Sequence, residues 1–245
     1  TNYLWNTGET TQTIYADTAG TYSVTVGNGT PVTNSNSLSF DGIDDFIFLN
    51  TNFDFPQRTV MLHFMPKTFP INHTLLFNNH NNQLNYGFTQ LAFNSNGNIG
   101  GGIGISMYSI DSLNLNEWYF ATIKTDGIKS HLFLDGIPID STNFTNNTGS
   151  NNNTGTQIGC MSDYTRYFDG FIDNVSIWNK ALTDLEIQNY MSSPPTGNEA
   201  GLVGYWNFNE GSGSTVTDLS GNGNNGTING ATWSTDAPSQ YANNC

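Results

Sequence analysis

Basic residues are scarce in this chain of 245 residues: 6 Lys and Arg stand against 20 Asp and Glu, a formal net charge of −14. Nucleic acids are held by clustered Lys and Arg that displace counterions, so that partner class is excluded. The basic residues all fall between Arg58 and Lys180, and the acidic or neutral ends argue equally against anionic membrane surfaces. No apolar run approaches the roughly 20 residues that span a bilayer, so no membrane insertion is expected. The sequence opens at Thr1 without a charged and then apolar leader, which fits a soluble form, either mature or excised from a longer protein. Cysteine is nearly absent: Cys160 and Cys245 exclude a Cys-rich zinc cluster and a disulfide scaffold, leaving one bridge open between them. Charge is also thin, 11% against 13% aromatic residues, which is the balance of a packed protein and not of a disordered one.

What is present is period-2 alternation punctuated by Gly, Asn and Ser. Residues 12–26 hold two short alternating runs around Asp17 and Gly20, a hairpin pattern. Residues 1–30 are too few for a sandwich of their own, so they are expected as a β-hairpin appendage or the end of an upstream module. Residues 31–37 read as a linker, and 38–245 as the main domain. From Leu38 onward strand patterns follow at short intervals. Their number predicts an all-β, two-sheet antiparallel sandwich, because one sheet this large would leave an apolar face wet. The segment KALTDLEIQNYM, 180–191, breaks the pattern. Thr183 reads as an N-cap, Glu186 completes a capping box, and Leu182 and Ile187 have staple spacing, so one short helix is expected there, stopped by Pro194 and Pro195. The strand pattern LVGYWNFN after this helix is expected to pair with strands far earlier in the chain.

The chemistry-bearing residues are mostly acidic. Asp41, Gly42, Asp44 and Asp45 form a Gly-containing turn, FDGIDD, and a hard cation takes six to eight oxygens from carboxylates and carbonyls. Asp173 shares an alternating face with Phe171, Val175 and Ile177, and a carboxylate on a core face needs a counter-charge or several hydrogen bonds. Calcium bridging the turn to Asp173 is one reading; turn carboxylates that accept backbone N–H bonds are the other. Catalysis by a carboxylate pair finds little support, because Glu9, Glu117, Glu186, Glu199 and Glu210 are scattered. His73 and His80 share one segment without metal-ligand spacing. For sugar, aromatic platforms beside polar groups are needed; Tyr164, Arg166 and Tyr167 before FDG are candidates, as are Tyr86 and Tyr108 near Asn-rich turns. Trp118, Trp178, Trp206 and Trp233 lie within strand patterns and are expected in the core.

Several segments together carry a resemblance: FDGIDDFIFL at 40–49, EWYFATIKTDG at 117–127, LFLDGIPI at 132–139, FDGFIDNVSIWNKALTDLEIQ at 168–188 and GLVGYWNFNEGSGSTVTDLSGNGNNGTINGATW at 201–233. In this order they resemble laminin-G-like domains of the concanavalin A-like lectin/glucanase superfamily. The N-terminal stretch is similar to the closing strands of Ig-like or PKD-like modules of secreted bacterial proteins. The resemblance implies a jelly-roll fold, a secreted or cell-surface location, a commonly bound calcium ion, and recognition of carbohydrate or glycoprotein, without catalysis. It also implies a cysteine near 192–193, where this chain has Ser192 and Ser193, so a Cys160–Cys245 bridge would depart from the usual pairing. Two rivals stay open: an architectural or adhesive spacer with protein partners, and a glycoside hydrolase or polysaccharide lyase.

Overall fold

The computed structural model describes residues 34–53, 55–79, 89–102, 107–143, 155–161 and 165–238, with the backbone of 2–5 and 24–27. The chain divides into two compact units, Thr1–Thr33 and Asn34–Cys245. In the first, β1 (Asn2–Trp5) and β2 (Val24–Gly27) pair antiparallel, Asn2 opposite Gly27. The hairpin turn expected near Asp17 lies outside the described residues.

The second unit is built from β3 (Ser37–Asp41), β4 (Phe46–Leu49), β5 (Arg58–Pro66), β6 (Thr74–Asn79), β7 (Thr89–Phe93), β8 (Ile99–Gly102), β9 (Met107–Tyr108), β10 (Tyr119–Thr125), β11 (Lys129–Leu134), β12 (Ile137–Asn143) and β13 (Thr156–Ile158). It continues with β14 (Asp169–Trp178), helix α1 (Asp184–Ser192), β15 (Leu202–Trp206), β16 (Thr215–Val216), β17 (Gly226–Asn229) and β18 (Thr232–Ser234). One sheet runs β12-β11-β10-β5-β14-β3-β18 with β15 also on β14; the other runs β16-β17-β4-β13-β6-β7-β8-β9. All pairings are antiparallel. This is the all-β sandwich with one helix that the strand patterns predict.

Alternation sorts the side chains. Val60, Leu62 and Phe64 of β5 face Ile47, Leu49, Leu91 and Phe93 of the other sheet in one buried cluster. The intervening Met61 joins Phe120, Phe133, Trp178 and Tyr205 in a second cluster, on the outer face of the first sheet, where α1 lies. The helix starts as its sequence predicts: Glu186 N–H donates to Thr183 Oγ1 at 3.2 Å and Thr183 N–H to Glu186 Oε2 at 2.7 Å. Its Ile187 is buried in the outer cluster, with Tyr190 and Met191 packed against it. Thr183→Ala should therefore cost about 1 kcal/mol, read as a lower urea midpoint; an unchanged midpoint would show that the cap contributes nothing.

Two expectations need correction. The strand LVGYW, β15, does not reach far back; it pairs with β14, the strand just before the helix, Val175 opposite Trp206. The helix makes a return over the sheet face, and it is β17 and β18 that run back to β4 and β3. Secondly, Phe171, Asp173, Val175 and Ile177 do not share a face. Between Asp173 and Ser176 the ladder with β5 gains one residue, and Asn174 takes a positive φ of 49°, a left-handed conformation that Asn tolerates. This β-bulge inverts the alternation: Val175 and Ile177 belong to the inner core, while Asp173 stands opposite His63 on the outer face. Trp178 and Trp206 are fully buried, whereas Trp118 and Trp233 are only half-buried.

Candidate functional site

Where β3 leaves one sheet and β4 enters the other, the chain turns through Gly42 with φ 76°. Asp41 Oδ1 accepts from the N–H of Ile43 at 2.8 Å and Asp44 at 3.4 Å, and Asp45 Oδ2 accepts from Asp41 N–H at 2.9 Å. The loop thus folds its carboxylates inward: Asp41, Asp44 and Asp45 each offer an oxygen, all within 4.8 Å of one another. Asp45 is buried, and an added Cβ on Gly230 would come within 2.0 Å of its Oδ1, so only a glycine lets that backbone close over the carboxylate. Burial first, then the charges of Asp41 and Asp44, raise the Asp45 carboxyl above its ordinary range, against the N–H bond from Asp41 that lowers it. Three oxygen donors with no cationic partner among the described residues fit a hard cation chemically.

Asp173 is not part of this group. The ladder sets Asp169, not Asp173, opposite Asp41, and four residues of strand place Asp173 about 13 Å further on. Its carboxylate is held instead by Asn34 Nδ2 and by Asn174 N–H at 2.7 Å and Nδ2 at 3.2 Å. A bridge from the turn to Asp173 is therefore ruled out by register. The acidic, Gly-rich stretch DLSGNGNN, 218–225, is a chain of turns, the Asp218 carboxylate accepting from Tyr205, Ser220 and Asn224 N–H.

The aromatic candidates do not gather at one place among the described residues. Tyr108 closes the far edge of the second sheet. Its ring lies over Gly100, where a Cβ would meet it at 2.7 Å, on the face away from the core. Arg166, with φ 56°, stands against His73 through Nη1 and Nε2; burial and that guanidinium hold the imidazole below its usual range. Tyr167 is half-buried nearby in sequence. Tyr86, Tyr164, His80 and Cys245 lie outside the described residues, and with Cys245 the disulfide; Cys160 is buried.

A feature missed by sequence reading lies on the same outer face as Tyr108. Phe48, Gln157, Asn78, Gln90 and Gly102 stand opposite one another in turn across β4, β13, β6, β7 and β8. Their sequence neighbours Ile47, Ile158, Phe77 and Leu91 point into the core, so alternation turns this row outward. Gln90 Nε2 donates to Asn78 Oδ1 at 2.9 Å and Asn78 Nδ2 to Gln157 Oε1 at 3.4 Å. The chain of amides ends at Gln157 Nε2, a buried donor with no hydrogen-bond partner. With Phe48 half-buried at one end, the row aligns a ring and three amides over about 14 Å at the usual strand spacing; Asn78, Gln90 and Gln157 are all buried.

The described glutamates are all engaged locally. Glu117 takes bonds from Asn114 and Tyr119, Glu186 closes the helix cap, Glu199 accepts from Thr196 and Gly197, and Glu210 from Thr217 N–H. None of these forms the facing carboxylate pair of a glycosidase.

Solved structures share this fold. A provisionally assigned carbohydrate-binding protein from Bacteroides ovatus superposes with TM-score 0.67 at 19% identity, over 83% of this chain and 61% of that one. A SAP-like pentraxin from Limulus polyphemus gives 0.51 at 18%, over 64% of this chain and 82% of the other. The Trypanosoma rangeli sialidase in complex with sialic acid gives 0.52 at 15%, over 77% of this chain but 32% of the enzyme. This chain thus spans about three fifths of the length of the Bacteroides protein. No curated protein matches the sequence. The family model Laminin_G_3 matches residues 41–188, more than half of the sequence and the stretch that holds the acidic turn, the amide row and most of both sheets; the chain belongs to the concanavalin A-like lectin/glucanase superfamily.

Proposed function

We propose that the second unit is a non-catalytic recognition module of a secreted or cell-surface protein, binding carbohydrate or the glycan of a glycoprotein, with calcium bracing the 41–45 turn. The observation that carries the reading is the amide row on the outer strand face, buried as it stands, with its unpartnered Gln157 donor for a sugar hydroxyl to take up once the face is uncovered. Amides that both donate and accept, beside an aromatic ring, are the chemistry that neutral sugar hydroxyls and ring faces require. A net charge of −14 favours neutral ligands over polyanions. The family and the Bacteroides neighbour support the same reading. Affinity electrophoresis on neutral polysaccharides, run beside a reducing-end assay, tests it: retardation without product release is expected, and release of product would make the protein an enzyme instead.

Asp41, Asp44 and Asp45 would hold the ion, whose chemistry is to neutralise three facing carboxylates. Because it binds the folded state alone, calcium at about a hundred times its dissociation constant should add about 2.7 kcal/mol. The expected result is a higher melting midpoint in millimolar calcium than in EDTA, a difference abolished by Asp45→Asn. Equal midpoints for demetallated wild-type protein would leave these aspartates as turn residues.

A further inference from the structure

We propose that Asp173 is a proton-binding site of the folded second unit, carried as the neutral carboxylic acid, and that this proton latches the entry residues 34–36 to the outer face of the first sheet. Asp173 is fully buried, yet its hydrogen-bond partners are the neutral amides of Asn34 and Asn174. No Lys, Arg or His among the described residues pairs with it. Two buried acceptors beside it lack a donor: Asn34 Oδ1, on the residue bonded to its carboxyl, and His63 Nδ1, on its cross-strand neighbour. A carboxylate would be one more acceptor among them. A carboxylic acid supplies the missing O–H. A half-turn of the Asn34 amide, which exchanges two nearly isosteric atoms, sets Oδ1 against that proton. Calcium fits poorly here, since it needs six to eight oxygens and the groups facing Asp173 are largely N–H donors.

The other titratable groups around Asp173 leave its charge uncompensated. From β5, His63 packs on the Phe120 ring at 4.7 Å and bonds to the backbone of Met191 in α1, and burial keeps its imidazole neutral. From β15, Tyr205 donates its hydroxyl to Asn174 Oδ1 at 3.2 Å and is itself held protonated, chiefly by burial. Burial likewise moves the Asp173 carboxyl well above its ordinary range, the amide bonds opposing it. The latch continues at Ser35 and Asn36, whose N–H groups donate to Asn209 Oδ1 at 2.9 and 3.2 Å. An ionised Asp173 would loosen its first link.

Carbon-detected NMR of the wild-type carboxyls over pH 4–9 reads the proton directly. The Asp173 carboxyl should keep the shift of an acid after the exposed carboxyls have ionised, and the Asn34 side-chain amide should move only when Asp173 ionises. A titration step below pH 5, or an Asn34 amide indifferent to it, would overturn the proposal. As a second readout, Asp173→Asn supplies a neutral isostere. Its unfolding constant relative to wild type should fall at least tenfold between pH 5 and pH 8, because only wild type must then release or bury a charge. A constant ratio at both pH values would contradict the proposal, as would loss of a calcium-dependent melting shift in Asp173→Asn.

Discussion

Trp206→Ala should destabilise the second unit by about 3–5 kcal/mol, the usual range for emptying a buried aromatic site. Trp206 is fully buried at the end of β15. Its indole meets the Phe53 ring edge-on with centroids 6.2 Å apart, and its Nε1 donates to the Asn224 carbonyl at 3.0 Å. The side chain therefore ties β15 both to the segment before β5 and to the turn before β17. Truncation opens a cavity and leaves the half-buried Asn224 carbonyl without its donor. The loss should appear in urea as one transition at lower midpoint, because the C-terminal strands complete both sheets. A separate early transition confined to 201–233 would show that this stretch folds as a body of its own.

Acid should cost nearly as much through one residue. His63 is buried, and desolvation lowers its pKa from 6.5 to about 4, opposed by the backbone bond to Met191. The unfolded imidazole takes up a proton below pH 6.5 while the folded one does not until about pH 4. The unfolded state thus binds more protons in that window, and stability is full above 6.5 and lost as pH falls towards 4. The span corresponds to roughly 3 kcal/mol. Asp173, raised where His63 is lowered, contributes the opposite slope: stability present in acid and lost as pH rises through its folded pKa. Comparison with His63→Phe cancels every slope the two proteins share. Wild type should lose about 3 kcal/mol relative to the variant between pH 7 and pH 4, and parallel stability curves would refute the assignment.

Much of this fold is legible in the sequence because its signals are local. Alternation in TVMLHFMP and EWYFATIKT needs only neighbouring residues to be read, and so does the capping box at Thr183 and Glu186. The failures are of two kinds. One extra residue at Asn174 inverts the face of everything beyond it, so the alternation that grouped Asp173 with Val175 holds on each side of the bulge but not across it. The other kind is long-range. Asn78, Gln90 and Gln157 are unremarkable amides in an Asn-rich chain, on strands far apart in sequence, and only the β13-β6-β7 register aligns them. The acidic turn was readable because its carboxylates lie within five residues, whereas the partner assigned to it from another strand was not. Trp118 shows the limit of strand pattern alone: it sits at the entry of β10, half-buried against Phe171 at 6.2 Å, with Nε1 donating to Asp236.

The central claim is recognition of neutral glycans by the outer face of the second sheet, and a glycan array probed with wild type beside Gln157→Ala tests it most directly. Gln157 is fully buried and its Oε1 accepts from Asn78 Nδ2, so Gln157→Ala gives up some stability, and binding is compared at a temperature where both proteins are folded. Discrete neutral-glycan hits are expected for wild type, weakened at least tenfold in the variant. An array silent for wild type, or hits that Gln157→Ala leaves untouched, would contradict it.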